Sequence, residues 1–265
     1  MDIARMKLGC LPPDASRFES VARAELYLDK QTLLETAQAP AALNWFRPPA
    51  WLGSVVCAPD NDPLGNDAKG DCVRAGLAHQ LNRVFQLTGS SRRITTQDVL
   101  SEYDRATGGD DTGEVILDVL NEGLSVGLWG EKIAAVARVD FNSPDSVALG
   151  TFVGCGLYGG FDLPEVAREQ ISDGGDWDIP PGGLASGDYP GKWGRHAMDC
   201  AQVSPGLDIY ETWGERQGAT AQWRRECCRE LYLIVWERWA RADGRVPSGF
   251  DFERLVSDVR ARGKI

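Results

Sequence analysis

Apolar positions recur at helical spacing in the first half of the chain and in alternating or continuous runs in the second. Val73, Leu77, Leu81 and Val84 mark one face of a helix that starts near Cys72, with Asp71 at its N-cap and Gly89 closing its far end. Thr95-Thr96-Gln97-Asp98 is a capping signal for a second helix reaching about Ala106. Val115 to Asn121 reads as a further helix ended by Gly123, and Ser143-Pro144-Asp145 sets a cap and an N1 proline before another. The pattern then changes. Phe152 to Phe161 reads as a strand, residues 172–194 as a long loop, and His196 to Val203 with Leu207 to Trp213 as a hairpin around Ser204-Pro205-Gly206. Trp223 to Trp239 is strongly apolar and suits either element. Phe252, Leu255, Val256 and Val259 share a helical face, which predicts a C-terminal helix docked on the body.

Residues 1–42 stand apart. Leu11-Pro12-Pro13-Asp14 breaks the chain before a helical pattern through Leu26, Leu33, Leu34 and Ala37 that stops at Pro40. This extension reads as a packed arm, a segment for an assembly partner, or a removable pro-segment. Residues 43–265 read as one α+β domain. A helical lobe covers about 43–142, a β-rich lobe about 143–239, and the last helix about 249–262.

Composition narrows the function. A formal charge of −11 argues against nucleic acid or an anionic membrane as partner, because phosphate contact needs clustered Lys and Arg. No apolar run approaches membrane-spanning length and the first residues lack a signal-peptide pattern, so a cytoplasmic location is expected. Seven cysteines at 10, 57, 72, 155, 200, 227 and 228 form no Cys-x-x-Cys pair and are expected as free thiols. With two histidines in 265 residues, no metal site and no cofactor is expected.

The candidate chemistry starts at Cys72. A polar, glycine-rich loop, Gly65 to Gly70, runs through Asp71 into the helix, so the thiol sits against unpaired N–H groups and the positive end of the helix dipole. Taken by itself, Cys72 is a small buried apolar residue, as most intracellular cysteines are. His79 lies seven positions along the same helix, about 10 Å away by helical rise, too far for proton transfer. His196, at the start of a strand in the second half, is the remaining imidazole and can form a thiolate–imidazolium pair. Asn66 can place a side-chain amide beside the Cys72 N–H to hold an oxyanion. On the returning strand, alternation puts Glu211 and Trp213 on one face and Thr212 on the other. Glu211 is therefore the expected orienter of His196, with the Trp213 indole shielding that contact.

These residues resemble the papain-like cysteine peptidases, and especially a group of papain-fold proteins from bacteria and bacteriophages. The likeness begins at Leu43-Asn44-Trp45 and continues through Gly65-Asn66-Asp67 and Gly70-Asp71-Cys72. It returns at His196-Ala197-Met198, Thr212-Trp213-Gly214, Glu230-Leu231-Tyr232 and Gly249-Phe250-Asp251. The resemblance implies a two-lobed fold with Cys72 as nucleophile, His196 as base then acid, and Asn66 as oxyanion donor. Gly70, Asp71 and Trp213 would line or shield the substrate groove. Glu211 falls where the family usually carries asparagine, Val73 replaces a tryptophan, Lys69 a structural cysteine, and Arg195 often a glycine. The implied function is hydrolysis of peptide or amide bonds in a peptide or protein substrate through an acyl-thioester. Two other functions share these residues: a catalytically silent papain-fold accessory protein, for instance in a phage particle, and a peptidoglycan peptide hydrolase of the CHAP type.

Overall fold

The structure, a computed structural model, describes residues 6–12, 60–204, 206–240 and 251–262. The helical pattern expected within residues 14–40 and the Leu43-Asn44-Trp45 motif lie outside the described residues. In chain order the elements are β1 (Cys10–Leu11), α1 (Cys72–Leu87), α2 (Thr96–Thr107), β2 (Glu114–Val115), α3 (Ile116–Ser125), β3 (Ile133–Arg138) and α4 (Pro144–Gly154). They continue with β4 (Leu157–Leu163), α5 (Glu165–Ser172), β5 (Gly194–Val203), β6 (Asp208–Thr212), β7 (Glu215–Ala219), α6 (Ala221–Cys227), β8 (Cys228–Trp236), a 3-10 turn (Glu237–Trp239) and α7 (Phe252–Arg262).

Local chemistry explains several boundaries. Thr95 and Asp98 form a reciprocal capping box at the start of α2, and the Ser143 side chain accepts from Ser146 N–H ahead of Pro144 in α4. Gly89 adopts φ +71 after α1, and Gly89 N–H and Ser90 N–H bond back to Gln86 and Phe85 carbonyls. That is the left-handed closure expected of glycine at this position. Asp71 does stand at the N-cap of α1, but its side chain makes no capping hydrogen bond.

Two boundaries differ from the sequence reading. Gly123 does not end α3; it lies inside the helix, where a Cβ would come within 2.5 Å of Ile133 Cδ1. Glycine there permits close packing of α3 on β3. The strand expected from Phe152 starts only at Leu157, because Phe152, Val153 and Gly154 complete α4 and the chain turns through positive φ at Cys155 and Gly156.

Strands β3 to β8 form an antiparallel sheet in the order β3-β8-β4-β5-β6-β7. Phe161 of β4 faces His196 of β5, and Asp199 of β5 faces Glu211 of β6. Helix α1 lies against β5 and sends the Tyr158 hydroxyl a carbonyl acceptor, Val73 O, at 2.7 Å. The core beside the sheet is aromatic: Trp223 stacks on Trp177 at 4.8 Å and on Phe161 at 5.6 Å, and all three are fully buried. At the sheet's other end the buried Trp236 indole donates to Gln80 of α1. Burying such rings supplies on the order of 2–3 kcal/mol each, so they fix how α1 sits on the sheet. Helix α7 docks on β3 through Phe252, Leu255 and Val256. Among the described residues no helix is long and apolar enough to cross a membrane.

Candidate active site

Cys72 is the first residue of α1 and only 1% exposed. The backbone N–H groups of Ala197, the residue after His196, and of Gly9 meet its sulfur. Burial pushes the thiol well above its ordinary pKa, aided by Cys10 and Asp71 and opposed by those two N–H donors. His196 is equally buried. Its Nε2 lies 2.6 Å from Thr212 Oγ1, its ring stacks on the Trp213 indole at 4.0 Å and 9°, and its Nδ1 has no hydrogen-bond partner. Burial pulls the imidazole pKa down to about 3.

The side chain that touches the imidazole is therefore Thr212, not Glu211, the orienter expected from the sequence. Trp213 (φ +49) and Gly214 (φ +76) are the two central residues of a tight hairpin between the paired Thr212 and Glu215. Two consecutive positive φ angles are what such two-residue turns require. Alternation consequently ends at Thr212, and the turn swings the indole onto the same imidazole that the threonine touches. Glu211 points instead to Arg83 and Arg216, accepting from Arg83 Nη1 at 3.0 Å and Arg216 Nη2 at 3.3 Å. Arg83 also pairs with Asp199 and donates to Cys155 O at 2.8 Å, so Glu211 helps anchor α1 to the sheet. Asp199 is raised to about 6, first by burial and then by Glu211, with Arg83 opposing.

Asn66 is buried in the loop before α1, with Nδ2 donating to Lys69 O at 3.1 Å. Asp71 is fully buried, and neither carboxyl oxygen has a well-formed hydrogen bond. Burial pushes its pKa up to about 8, against the pull of the neighbouring Asn66 amide and with help from Asp111 and Glu114. Burial thus favours the neutral acid over the carboxylate. His79 is also buried, with Nδ1 3.5 Å from Asp60. Burial raises Asp60, but His79, Asn82 and Arg93 outweigh it and hold the carboxyl well below the usual range.

What covers the thiol is a segment that sequence reasoning missed. Residues 6–12 run as an extended segment over Cys72. Lys7 N–H bonds to Asn66 O at 3.2 Å, Trp213 Nε1 donates to Lys7 O at 3.1 Å, and Glu114 N–H bonds to Gly9 O at 2.9 Å. Cys10 and Leu11 pair in parallel with Glu114 and Val115. The fit at Gly9 is so close that a Cβ would lie 1.7 Å from the Gly70 carbonyl oxygen. A signal was present in retrospect: Leu8-Gly9-Cys10 is a short apolar stretch with a glycine, placed just before the Pro-Pro breaker.

A helix with a cysteine at its N-terminus packed against an antiparallel sheet, with a histidine strand beside the thiol, defines a papain-like α+β fold. The solved structure of xylellain, a cysteine protease from Xylella fastidiosa, matches it with a TM-score of 0.60, covering 87% of this chain and 96% of that one. The two sequences are 13% identical over the match. No family model matches the chain, and no curated protein sequence does.

Proposed function

We propose that the chain is a papain-like cysteine hydrolase of peptide or amide bonds, held latent by its own N-terminal strand. The observation that carries this reading is the His196 ring: one nitrogen fixed by Thr212, one face fixed by Trp213, and a free Nδ1 next to the strand position whose N–H meets Cys72. With the strand in place both groups are dry and neutral, which is an inactive state. When it leaves, water enters and the charged pair becomes affordable.

Cys72 then passes its proton to His196 Nδ1, while Nε2–H donates to Thr212. The thiolate attacks the substrate carbonyl carbon, and the resulting oxyanion is held by the Cys72 N–H and the Asn66 amide. Collapse breaks the C–N bond, the departing amine takes the proton from His196, and an acyl-thioester stays on Cys72. Water, deprotonated by His196, attacks that thioester and releases the acid and the free thiol. Asn66 has to exchange its Lys69 contact for the oxyanion in this step. The xylellain likeness supports a peptide substrate.

A second reading, a papain-fold protein without turnover, draws on the same strand: a site plugged this tightly can be a permanent structural contact. Gly9→Ala in the full chain separates the two, because its methyl group cannot coexist with the Gly70 carbonyl. We expect this variant to hydrolyse a denatured protein substrate at least tenfold faster than the parent, and Gly9→Ala/Cys72→Ala to do so no faster than buffer. A folded Gly9→Ala protein with an accessible Cys72 and no turnover favours the silent reading.

A further inference from the structure

The residue that β1 places beside Cys72 points its side chain into a pocket of defined chemistry. Cys10 is 4% exposed, and burial pushes its thiol up to about 12, with the Arg195 guanidinium pulling the other way. Arg195 stands immediately before His196 on β5. It pairs with Glu230 of β8, and Glu230 also accepts from the Tyr232 hydroxyl at 2.8 Å. The ion pair fits because β4 has glycine opposite it: a Cβ on Gly160 would come 3.0 Å from both Arg195 Nη2 and Glu230 Oε1, and 3.1 Å from Ile116 Cδ1.

The hydrogen-bonding capacity of this pocket is unevenly used. Both oxygens of the fully buried Glu230 are occupied, Oε1 by Arg195 and Oε2 by Tyr232. Arg195 Nε–H is buried and meets no oxygen or nitrogen acceptor; on the β1 side the guanidinium's hydrogen-bond partner is the Cys10 sulfur. The side chain that β1 sets beside it is a thiol, a weak acceptor at best. Asp162, the other nearby carboxylate, is engaged by Arg229 at 2.8 Å. What the pocket offers is a donor on a cation now met only by a thiol, and what it has room for beside Cys10 is short, since the Arg195–Glu230 pair lies directly against that side chain.

We propose that Arg195 makes this pocket a specificity site for a short acceptor side chain, Asp or Asn before Leu or Lys, on whatever peptide replaces β1. This deepens the hydrolase reading, since it rests on β1 occupying the groove that a substrate takes. A lysine would find no free oxygen on Glu230, and a leucine would leave the Arg195 donor buried and unmet. Charge-assisted hydrogen bonds of this kind change equilibria by roughly tenfold or more.

The test reads strand occupancy and not turnover, so it stands or falls apart from the catalytic proposal. In the full chain, Cys10→Asp, Cys10→Ala, Cys10→Leu and Cys10→Lys are compared by the rate at which iodoacetamide alkylates Cys72, located by mass spectrometry. That rate follows how often the strand opens. Cys10→Asp should be alkylated roughly tenfold more slowly than Cys10→Ala, with Cys10→Leu and Cys10→Lys no slower than Cys10→Ala. In an Arg195→Met background the Cys10→Asp protection should vanish. Because Arg195→Met strands Glu230, Arg195→Met/Glu230→Gln is run beside it and should give the same loss. Protection by Cys10→Leu or Cys10→Lys equal to that of Cys10→Asp, or Cys10→Asp protection that survives both Arg195 backgrounds, overturns the assignment.

Discussion

Thr212 and Glu211 are adjacent in sequence and do different work. The hydroxyl lies 2.6 Å from His196 Nε2, and in the proposed mechanism it steadies the ring with Nδ1 left for the thiol. The carboxylate next to it is spent on Arg83 and Arg216. Thr212→Val, measured in the unmasked Gly9→Ala chain, should lower kcat by roughly tenfold with the melting temperature little changed. Glu211→Gln should do the reverse, lowering the melting temperature by uncoupling a buried ion pair while kcat per active site stays within about twofold. Swapped outcomes would return the orienting role to Glu211. Asp71 carries a pH signature. Its pKa of about 8 lies above the ordinary carboxyl value, so the folded state keeps a proton that the unfolded chain loses as pH rises from about 4. Its contribution to stability therefore falls between pH 4 and 8. Asp71→Asn should melt close to the parent at pH 4 and above it at pH 8; an equal difference at both pH values would mean the carboxyl is not held neutral.

At the scale of elements, what was legible in the sequence was what local chemistry decides. The cap before α2, the proline start of α4, the glycine closure of α1 and the β5–β6 hairpin each rest on side chains within a few residues of the boundary. Tertiary contacts erased other signals. Gly123 carries a helix stop in any local reading, yet it is helical because Ile133 packs where its Cβ would stand. Gly123→Ala should therefore destabilise the protein by about 1–3 kcal/mol in denaturant unfolding, although alanine is the better helix former. A stabilised variant would show that α3 and β3 are less tightly joined. The Trp213-Gly214 turn escaped for a related reason. Tryptophan seldom adopts positive φ, so local alternation runs on through Trp213 and places Glu211, not Thr212, beside the imidazole.

Across the whole molecule, sequence spacing singled out Cys72, His196 and the strand that follows, and the papain-like fold brings α1 onto β5 so that the Cys72 sulfur meets the N–H next to His196. Spacing could not reveal the covering strand, since residues 6–12 and 60–76 are far apart in sequence and meet through tertiary contacts such as Lys7 with Asn66 and Gly9 with Gly70 and Cys72. That strand explains how a thiol at a helix N-terminus, where thiolate is ordinarily favoured, is instead held protonated. Removal of water outweighs the helix dipole. The central claim is that Cys72 and His196 form a charged pair once uncovered. The most direct measurement is the pH dependence of Cys72 alkylation in Gly9→Ala, set against Gly9→Ala/His196→Ala. The account predicts alkylation that persists well below pH 7 when His196 is present and retreats to an ordinary thiol profile near about pH 8.5 without it. Superimposable profiles from the two proteins would contradict it.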